Sequence, residues 1–300
     1  MYRMEKIVPL IGPTVEGPLG VKMLPRTWLK SVLSAAGLLP EGYFDNDKGF
    51  NHRVVDALGL EPEAFFAFLA TQPTYPQTED YVRAHASKLD PATIAALNDG
   101  IASYERPEEG AAAVRALTGI EDLTLRNSAR LLDIDDWYAM HKAVLAHRAD
   151  GIAPMIPMVS SAQVGLAGIP HLPRLWMKAL LNAVHALHPE WKSGLVCGFD
   201  KRLAETIGLD LSAAVAYING ELPSYLQFER WVLAHITPPD AATKANWVEQ
   251  FDGLKKGEEQ ATAECIEAGA PGAGVRGTML LNDMVDWKFM HDQVAAQRVA

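Results

Sequence analysis

The chain has 300 residues, of which 49% are hydrophobic and 21% are charged. This composition is typical of a folded globular protein of roughly two domains, and it excludes disordered and collagen-like chains. Thirty-seven acidic against twenty-seven basic residues give a net charge of -10, which argues against nucleic acid or an anionic membrane as the main partner.

The first residues of the chain hold one short apolar run, 7–11, which Pro9 interrupts. The run is too short for a signal-peptide core or a membrane span, so we expect a cytoplasmic protein. The two cysteines, Cys197 and Cys265, are too few for a disulfide framework or a zinc cluster. A reducing compartment is consistent with both of them.

Helical signals follow one another along the first half of the chain. Pro25 opens a segment whose apolar residues recur at helical spacing up to Gly37, and proline loses no hydrogen bond at the first helical position. The ranges that read as further helices are 50–58, 61–69, 78–85, 92–101, 107–117 and 133–148. No segment alternates polar and apolar residues at period two, so we predict an all-α fold.

The second half of the chain repeats the first. The segment 24–30 reads LPRTWLK and returns at 172–178 as LPRLWMK. Other paired segments are 7–11 with 152–156, 49–53 with 198–202, and 136–141 with 286–291. Matches over this length predict a tandem duplication, with homologous helical domains at 1–149 and 150–300 related by a pseudo-twofold axis.

Three motifs carry a resemblance to a known family. They are the Leu-Pro-Arg-x-x-x-Lys start of the first helix, the segment 198–210 with its Gly-Phe-Asp-Lys-Arg-Leu opening, and the Asp-Trp pair of the last helix. Together they resemble an uncharacterised bacterial family of single all-helical domains, a domain of unknown function. The resemblance covers 17–141 and 165–291 and implies a tandem fusion of two such domains. It implies no particular reaction.

Two cations stand near the start of the same helix in each half, Arg26 with Lys30 and Arg174 with Lys178. The helix dipole disfavours cations there, so a compensating anion is expected. The i,i+4 spacing places each pair on one face, where arginine and lysine together suit a carboxylate, phosphate or phenolate. The structural alternative is an internal salt bridge to Glu41 and Glu190 or to Asp136 and Asp286.

Two histidines differ between the halves and are candidate proton-transfer residues. His52 stands where the second half has Lys201, and His171 stands where the first half has Met23. Selection for a single active site would create this asymmetry, and drift after duplication is the alternative. We expect at most one working site and favour the second half, because His171 directly precedes the helix that carries Arg174.

The loop 40–49 follows the first Arg/Lys helix and carries Tyr43 together with Asp45, Asp47 and Lys48. A polar loop with an aromatic residue beside two cations is a candidate pocket wall, which gives Tyr43 a substrate-binding role; an exposed, solvated loop is the alternative. Its acids resemble a calcium loop only weakly, because the acid required at the twelfth position is missing.

Absent motifs narrow the chemistry further. The sequence has no glycine-rich phosphate loop, Rossmann fingerprint, zinc-protease motif, serine-hydrolase elbow or Cys-x-x-Cys pair. We therefore expect no cofactor or metal, and a cofactor-independent acid/base enzyme, with a lyase as the first hypothesis, acting on a small anionic or phenolic molecule. Its candidate catalytic residues are Lys30, Lys178, His52 and His171, and its candidate substrate-binding residues are Arg26, Arg174 and Tyr43. The alternative is a module that binds a small ligand or a protein without turnover, and a homodimer is left open.

Overall fold

The computed structural model of the chain describes residues 6–43, 49–191, 195–237 and 239–296. Within these ranges the fold is all-α, as predicted, and only isolated β-bridges occur beside the helices. The helices are α1 (Leu24–Ala35), α2 (Phe50–Leu58), α3 (Pro62–Ala70), α4 (Tyr75–His85), α5 (Pro91–Ser103), α6 (Glu108–Thr118), α7 (Ser128–His147), α8 (Leu172–Ala183), α9 (Gly198–Ile207), α10 (Leu211–Glu221), α11 (Tyr225–His235), α12 (Ala241–Asp252), α13 (Glu258–Glu267) and α14 (Thr278–Ala296).

Side-chain capping is seen at the starts of α3, α4, α5, α10, α11 and α12, and the start of α4 is one that sequence analysis placed too late. The predicted helix at 78–85 begins instead at Tyr75, because Thr74 accepts from the backbone N–H of Gln77 while the Gln77 side chain accepts from the N–H of Thr74. The same reciprocal capping box opens α11 at Ser224 and Gln227. Helix α7 likewise begins at Ser128, five residues before the predicted 133.

The chain forms two compact units, and each unit contains helices from both halves of the sequence. Of the described residues, unit 1 contains 106–126 and 130–254, and unit 2 contains 6–105, 127–129 and 255–296. The first half therefore contributes α6 and most of α7 to unit 1, while the second half contributes α13 and α14 to unit 2. The boundary predicted at 149/150 and the pseudo-twofold axis remain predictions about the repeats.

An aromatic trio lies in the core of each unit and contains residues from both halves of the sequence. The trio is Trp28, Tyr75 and Trp287 in unit 2, and Trp176, Tyr225 and Trp137 in unit 1. The tyrosine ring packs edge-on at 4.6 Å from Trp287 in unit 2 and from Trp137 in unit 1. Each half of the sequence ends in a helix that packs in the other unit's core: α7 in unit 1 and α14 in unit 2. Burial of these large rings stabilises that packing.

The long lead-in before α1 and before α8 is clamped by the arginine of the helix that follows. Arg26 Nη1 donates to the carbonyls of Pro9 and Ile11, and Arg174 Nη1 donates to those of Pro157 and Val159. These contacts pair Pro9 with Pro157. The pairing of 7–11 with 152–156 expected from the sequence is therefore wrong by three residues.

A second recurring contact ties each lead-in to a later helix. In unit 2, Tyr75 donates its hydroxyl to Glu79, which also accepts from the backbone N–H of Leu19. Tyr225, Glu229 and Ala167 repeat the arrangement in unit 1. Both tyrosine rings lie against a glycine, Gly17 or Gly165, where a Cβ would meet the hydroxyl at 2.1 or 2.0 Å. The lead-ins are therefore fixed in position rather than loosely attached.

Candidate functional site

A buried cluster of polar side chains lies at the start of α8 in unit 1. His171 occupies the position just before the helix, with φ at 67° in the left-handed region. Its counterpart before α1, Met23, has φ at 69°. Neither side chain caps its helix, so this strained backbone position serves to direct a side chain into the interior.

His171 uses both ring nitrogens in buried hydrogen bonds. Nδ1 lies 2.9 Å from Ser161 Oγ, and Nε2 lies 2.9 Å from Asp200 Oδ1. The Phe199 ring packs 4.5 Å from the imidazole. His171 is 1% exposed, while Ser161 and Asp200 are 0% exposed, so the cluster is shielded from solvent.

Lys178 completes the cluster from the second turn of α8. Its ammonium donates to Asp200 Oδ2, and both side chains are fully buried. The backbone N–H of Cys197 donates to the same oxygen at 2.7 Å, and the Cys197 sulfur lies 3.8 Å from Lys178 Nζ. A buried carboxylate needs this many donors, because an unpaired charge in the interior is strongly destabilising.

The electrostatics of the cluster keep His171 neutral and Asp200 ionised. Burial lowers the pKa of His171 to about 4; the hydrogen bond to Asp200 opposes this change, and the charges of Lys178 and Arg174 add to it. Burial alone would raise the pKa of Asp200, but bonding to His171, the charge of Lys178 and the Cys197 N–H together hold that pKa well below its usual range. The charged groups around the neutral His171 are therefore the Asp200 carboxylate, the Lys178 ammonium and the Arg174 guanidinium.

Arg174 and Lys178 lie on one face of α8, as their spacing predicts. The Arg174 guanidinium carbon is 5.2 Å, and Lys178 Nζ 5.8 Å, from the centre of the Trp191 ring. Arg174 also clamps the lead-in, as described above. The acid that pairs with Lys178 is Asp200, which is not among the four acids suggested by the repeats.

The remaining candidates belong to unit 2. Arg26 clamps the first lead-in and Lys30 is buried in α1. His52 is part-exposed on α2, where Nδ1 pairs with Asp56 Oδ2 at 3.1 Å. Tyr43 is half-buried, and its backbone N–H donates to the Pro40 carbonyl. The structure thus groups His171, Lys178 and Arg174 in one cluster of unit 1, while His52 and Tyr43 belong to unit 2.

Two members of the cluster were missed by the sequence analysis. Asp200 lies in the repeated segment 198–202, but its counterpart Asn51 hid the importance of the acid. Ser161 lies in the proline- and glycine-rich lead-in, which carries no helical pattern. The available signal was that polar residues replace apolar ones at several paired positions of the two lead-ins.

Three other expectations from the sequence concern the loop 40–49, metal binding and membrane-spanning segments. Asp45, Asp47 and Lys48 lie outside the described residues, so the loop 40–49 is seen only in part. No group of three potential metal ligands occurs among the residues that the structure describes. In the same part of the chain, no helix is long and apolar enough to cross a membrane.

Comparison with known proteins adds no relative to this description. No protein-family model, no curated protein and no solved structure matches the chain. The resemblance to a family of single helical domains, the cytoplasmic location and the homodimer therefore remain predictions from the sequence.

Proposed function

We propose that unit 1 carries the active site of a cofactor-independent acid/base enzyme acting on a small anionic or phenolic molecule. The observation that carries the proposal is the contrast between the starts of α8 and α1. At the start of α1, Met23 is buried and Asn51 accepts a neutral hydrogen bond from Thr27 at 3.0 Å. Since unit 2 has neither a buried histidine nor an acid at these positions, the fold does not require the cluster of unit 1.

In this proposal His171 is the proton acceptor, because it is neutral and hydrogen-bonded in the manner of a general base. Asp200 positions the ring and stabilises the imidazolium that forms. Lys178 has an electrostatic role, since its ammonium is committed to Asp200 and a nucleophilic amine would have to be neutral. An anionic ligand would offset the charges of Lys178 and Arg174 and so raise the proton affinity of His171 when it binds.

The reaction class we propose is a lyase reaction, in which removal of a proton is coupled to loss of a leaving group. This follows from the absence of nucleotide, metal and hydrolase motifs in the sequence, together with a single neutral base. Arg174 and Lys178 are the groups proposed to attract the negative charge of the substrate. Lys30, Arg26, His52 and Tyr43 have no part in this site.

The test is a thermal-shift screen of small carboxylates and phenols, followed by a search for turnover of the molecules that bind. The informative variants are H171M, which places the residue of the α1 start into α8, and K178M, with K30M as its matched control in unit 2. We expect binding to survive in K30M and to be lost in K178M. Turnover should be lost in H171M. Equal losses in K30M and K178M would contradict a single site in unit 1.

A binding module without turnover is the second candidate, and the enclosure of the cluster favours it. Lys178 and Arg174 already have partners inside unit 1, as expected of side chains that brace a fold. Under this alternative H171M binds the same molecules as the wild type, and no compound in the screen is converted. The two candidates are therefore separated by the same set of variants.

A further inference from the structure

A second candidate site is a cavity whose lining residues all belong to unit 2. Its volume is about 480 Å³, within the roughly 300–1,000 Å³ typical of small-molecule pockets. One wall is formed by α4 together with Pro18 of the lead-in, and the facing wall by the loop 269–273 together with Met284 of α14. None of these lining residues belongs to the His171 cluster of unit 1.

The α4 wall presents a positive and a negative charge side by side. Arg83 donates through Nη1 to Asp80 Oδ1 at 2.8 Å and through Nη2 to Glu79 Oε2 at 3.0 Å. Glu79 is buried, and its Oε1 accepts from the Tyr75 hydroxyl and the Leu19 N–H. The Arg83 and Asp80 side chains, in contrast, are 45% and 74% exposed. Glu79 therefore holds the guanidinium in place, while Arg83 and Asp80 are accessible to a ligand.

Arg83 and Asp80 both keep hydrogen-bonding capacity after pairing with each other. The guanidinium has further N–H donors beyond the two that bind Glu79 and Asp80. The Asp80 carboxylate binds Arg83 through Oδ1, and its second oxygen, Oδ2, is also an acceptor. A ligand carboxylate can therefore accept from Arg83 while a ligand ammonium donates to Asp80.

The facing wall is uncharged and contains a tight turn. The N–H of Ala273 donates to the carbonyl of Ala270 at 3.1 Å, across Pro271 and Gly272. Proline at the second position and a glycine with φ at 84° at the third are typical of a type II turn. The apolar surface that lies beside the charged pair comes from Pro271 of this turn and from Pro18, Pro76 and Met284.

In unit 1 the two corresponding walls are joined by charges of the protein itself. Arg230 of α11 pairs with Glu121 of the loop after α6, and these residues stand at the paired positions of Asp80 and Pro271. Leu233 stands at the paired position of Arg83. An ion pair thus connects the walls in unit 1, whereas in unit 2 both exposed charges lie on one wall with a cavity in front of them.

We propose that the cavity of unit 2 binds a free α-amino acid with an apolar side chain. Such a ligand carries a carboxylate and an ammonium on one carbon atom, and Arg83 and Asp80 offer the two opposite charges within 2.8 Å of each other. The ligand side chain packs against the prolines and Met284. This site does not depend on the enzyme function proposed for unit 1.

The charges of the α4 wall select against ligands that carry only one of the two groups. A lone carboxylate on Arg83 lies close to the carboxylates of Asp80 and Glu79, and like charges repel each other. A lone ammonium on Asp80 lies close to the Arg83 guanidinium and is repelled in the same way. A zwitterion offsets each repulsion by an attraction, so it should bind more tightly than either.

The test is isothermal titration calorimetry of the full-length protein with leucine, isoamylamine and isocaproate. The two analogues keep the leucine side chain and lack the carboxylate and the ammonium, respectively. We expect one leucine site per chain and binding of each analogue that is weaker by at least about tenfold. D80N and R83Q should each weaken leucine binding by a similar factor, because each removes one counter-charge.

The double variant D80R/P271E places the ion pair of unit 1 across the cavity of unit 2, so it should abolish leucine binding. Its matched control is E121Q, which removes the ion pair of unit 1 and should leave leucine binding unchanged. If R83Q does not fold because Glu79 loses its partner, R83K keeps the charge but not the planar fork, and it should also weaken leucine binding.

Three results would each overturn the proposal: no heat of binding with leucine, equal affinity for leucine and either analogue, or full leucine binding in D80R/P271E. H171M and K178M separate this site from the active site proposed for unit 1, since both should bind leucine as the wild type does. Leucine binding that is lost in K178M and kept in D80R/P271E would assign the leucine to unit 1. Leucine binding without any turnover in the screen removes the enzyme and keeps this site.

Discussion

At the start of α8 five polar side chains are hydrogen-bonded in the interior, while at the start of α1 the paired backbone positions hold residues that bury little polarity. The pairs, unit 1 first, are Ser160 and Gly12, Ser161 and Pro13, Gln163 and Val15, His171 and Met23, and Asp200 and Asn51. The arginine clamp, the tyrosine–glutamate pair and the positive φ before the helix recur in both units.

The comparison teaches that a buried polar network differs as a set, while the apolar framework stays the same. His171 without Asp200 would leave a buried N–H unsatisfied, and Asp200 without Lys178 would leave a buried charge unpaired. Single changes are therefore costly: unit 1 has the histidine and the acid together, while unit 2 keeps the buried Lys30 and has Met23 and Asn51 in their place. Apolar packing around Trp28 or Trp176 is compatible with either arrangement.

The largest effect is expected from D200N, which gives unit 1 the amide found in unit 2. The change leaves the Lys178 ammonium buried without its carboxylate, so we expect a loss of about 3–5 kcal/mol in the free energy of unfolding. Urea denaturation measures this loss. The control N51A removes one neutral bond in unit 2 and should cost only about 1 kcal/mol.

The double variant D200N/K178M sharpens the interpretation of that loss. It removes both charges, so it should recover a large part of the stability that D200N loses. If D200N costs no more than N51A, the ion pair is not the feature that distinguishes the two units.

The next largest expected difference between the units is in how their stability depends on pH. The pKa of His171 is lowered from 6.5 to about 4, so the unfolded chain takes up its proton first as the pH falls. Stability is therefore complete above about pH 6.5 and is lost as the pH falls toward 4, by on the order of 3 kcal/mol in total. H171M should remove this component from unfolding curves measured across that range.

Other buried groups also titrate in this pH range. The effect of His171 must therefore be measured as the difference in stability between the wild type and H171M. Burial raises the pKa of Glu79 and Glu229, which gives their contribution the opposite sign, and lowers that of His141, which gives the same sign. These groups are present in both proteins, so they cancel in the comparison of wild type with H171M. Parallel curves for the two proteins would show that His171 is not the responsible group.

The shared framework should respond alike in both units. G17A and G165A each place a Cβ within 2.5 Å of the buried tyrosine–glutamate pair, so the pair must shift in either unit. We expect each variant to lose about 1–3 kcal/mol of stability, with similar values for the two. A large loss in only one unit would show that this contact has also diverged.

The smallest effect is expected at an exposed ion pair that only unit 1 has. Arg230 pairs with Glu121, and both side chains are more than half exposed, while the paired positions of unit 2 are Asp80 and Pro271. E121Q should change stability by less than about 1 kcal/mol, and by less still in high salt. Thermal unfolding of E121Q at two salt concentrations is the measurement. A loss comparable to that of D200N would mean that the surface also separates the units energetically.

The sequence predicted the all-α fold and the common face of Arg174 and Lys178, because both depend on local spacing. Proline at helix starts, capping residues and apolar periodicity are read over a few neighbouring positions. The same locality explains the error at α4. That helix starts at the capping box of Thr74 and Gln77, which lies just outside the apolar pattern that the prediction followed.

Tertiary structure alone decided which helices share a unit and which side chains form the cluster. Ser161, His171, Lys178 and Asp200 span 40 positions of the chain, and no local pattern connects a serine in an irregular lead-in to an acid in α9. They meet because buried polar groups must find partners once α8 and α9 pack together. The assignment of α7 to unit 1 and α14 to unit 2 has the same origin: Trp137 of α7 packs against Tyr225 and Trp287 of α14 packs against Tyr75, contacts between residues far apart in the sequence that no local pattern specifies.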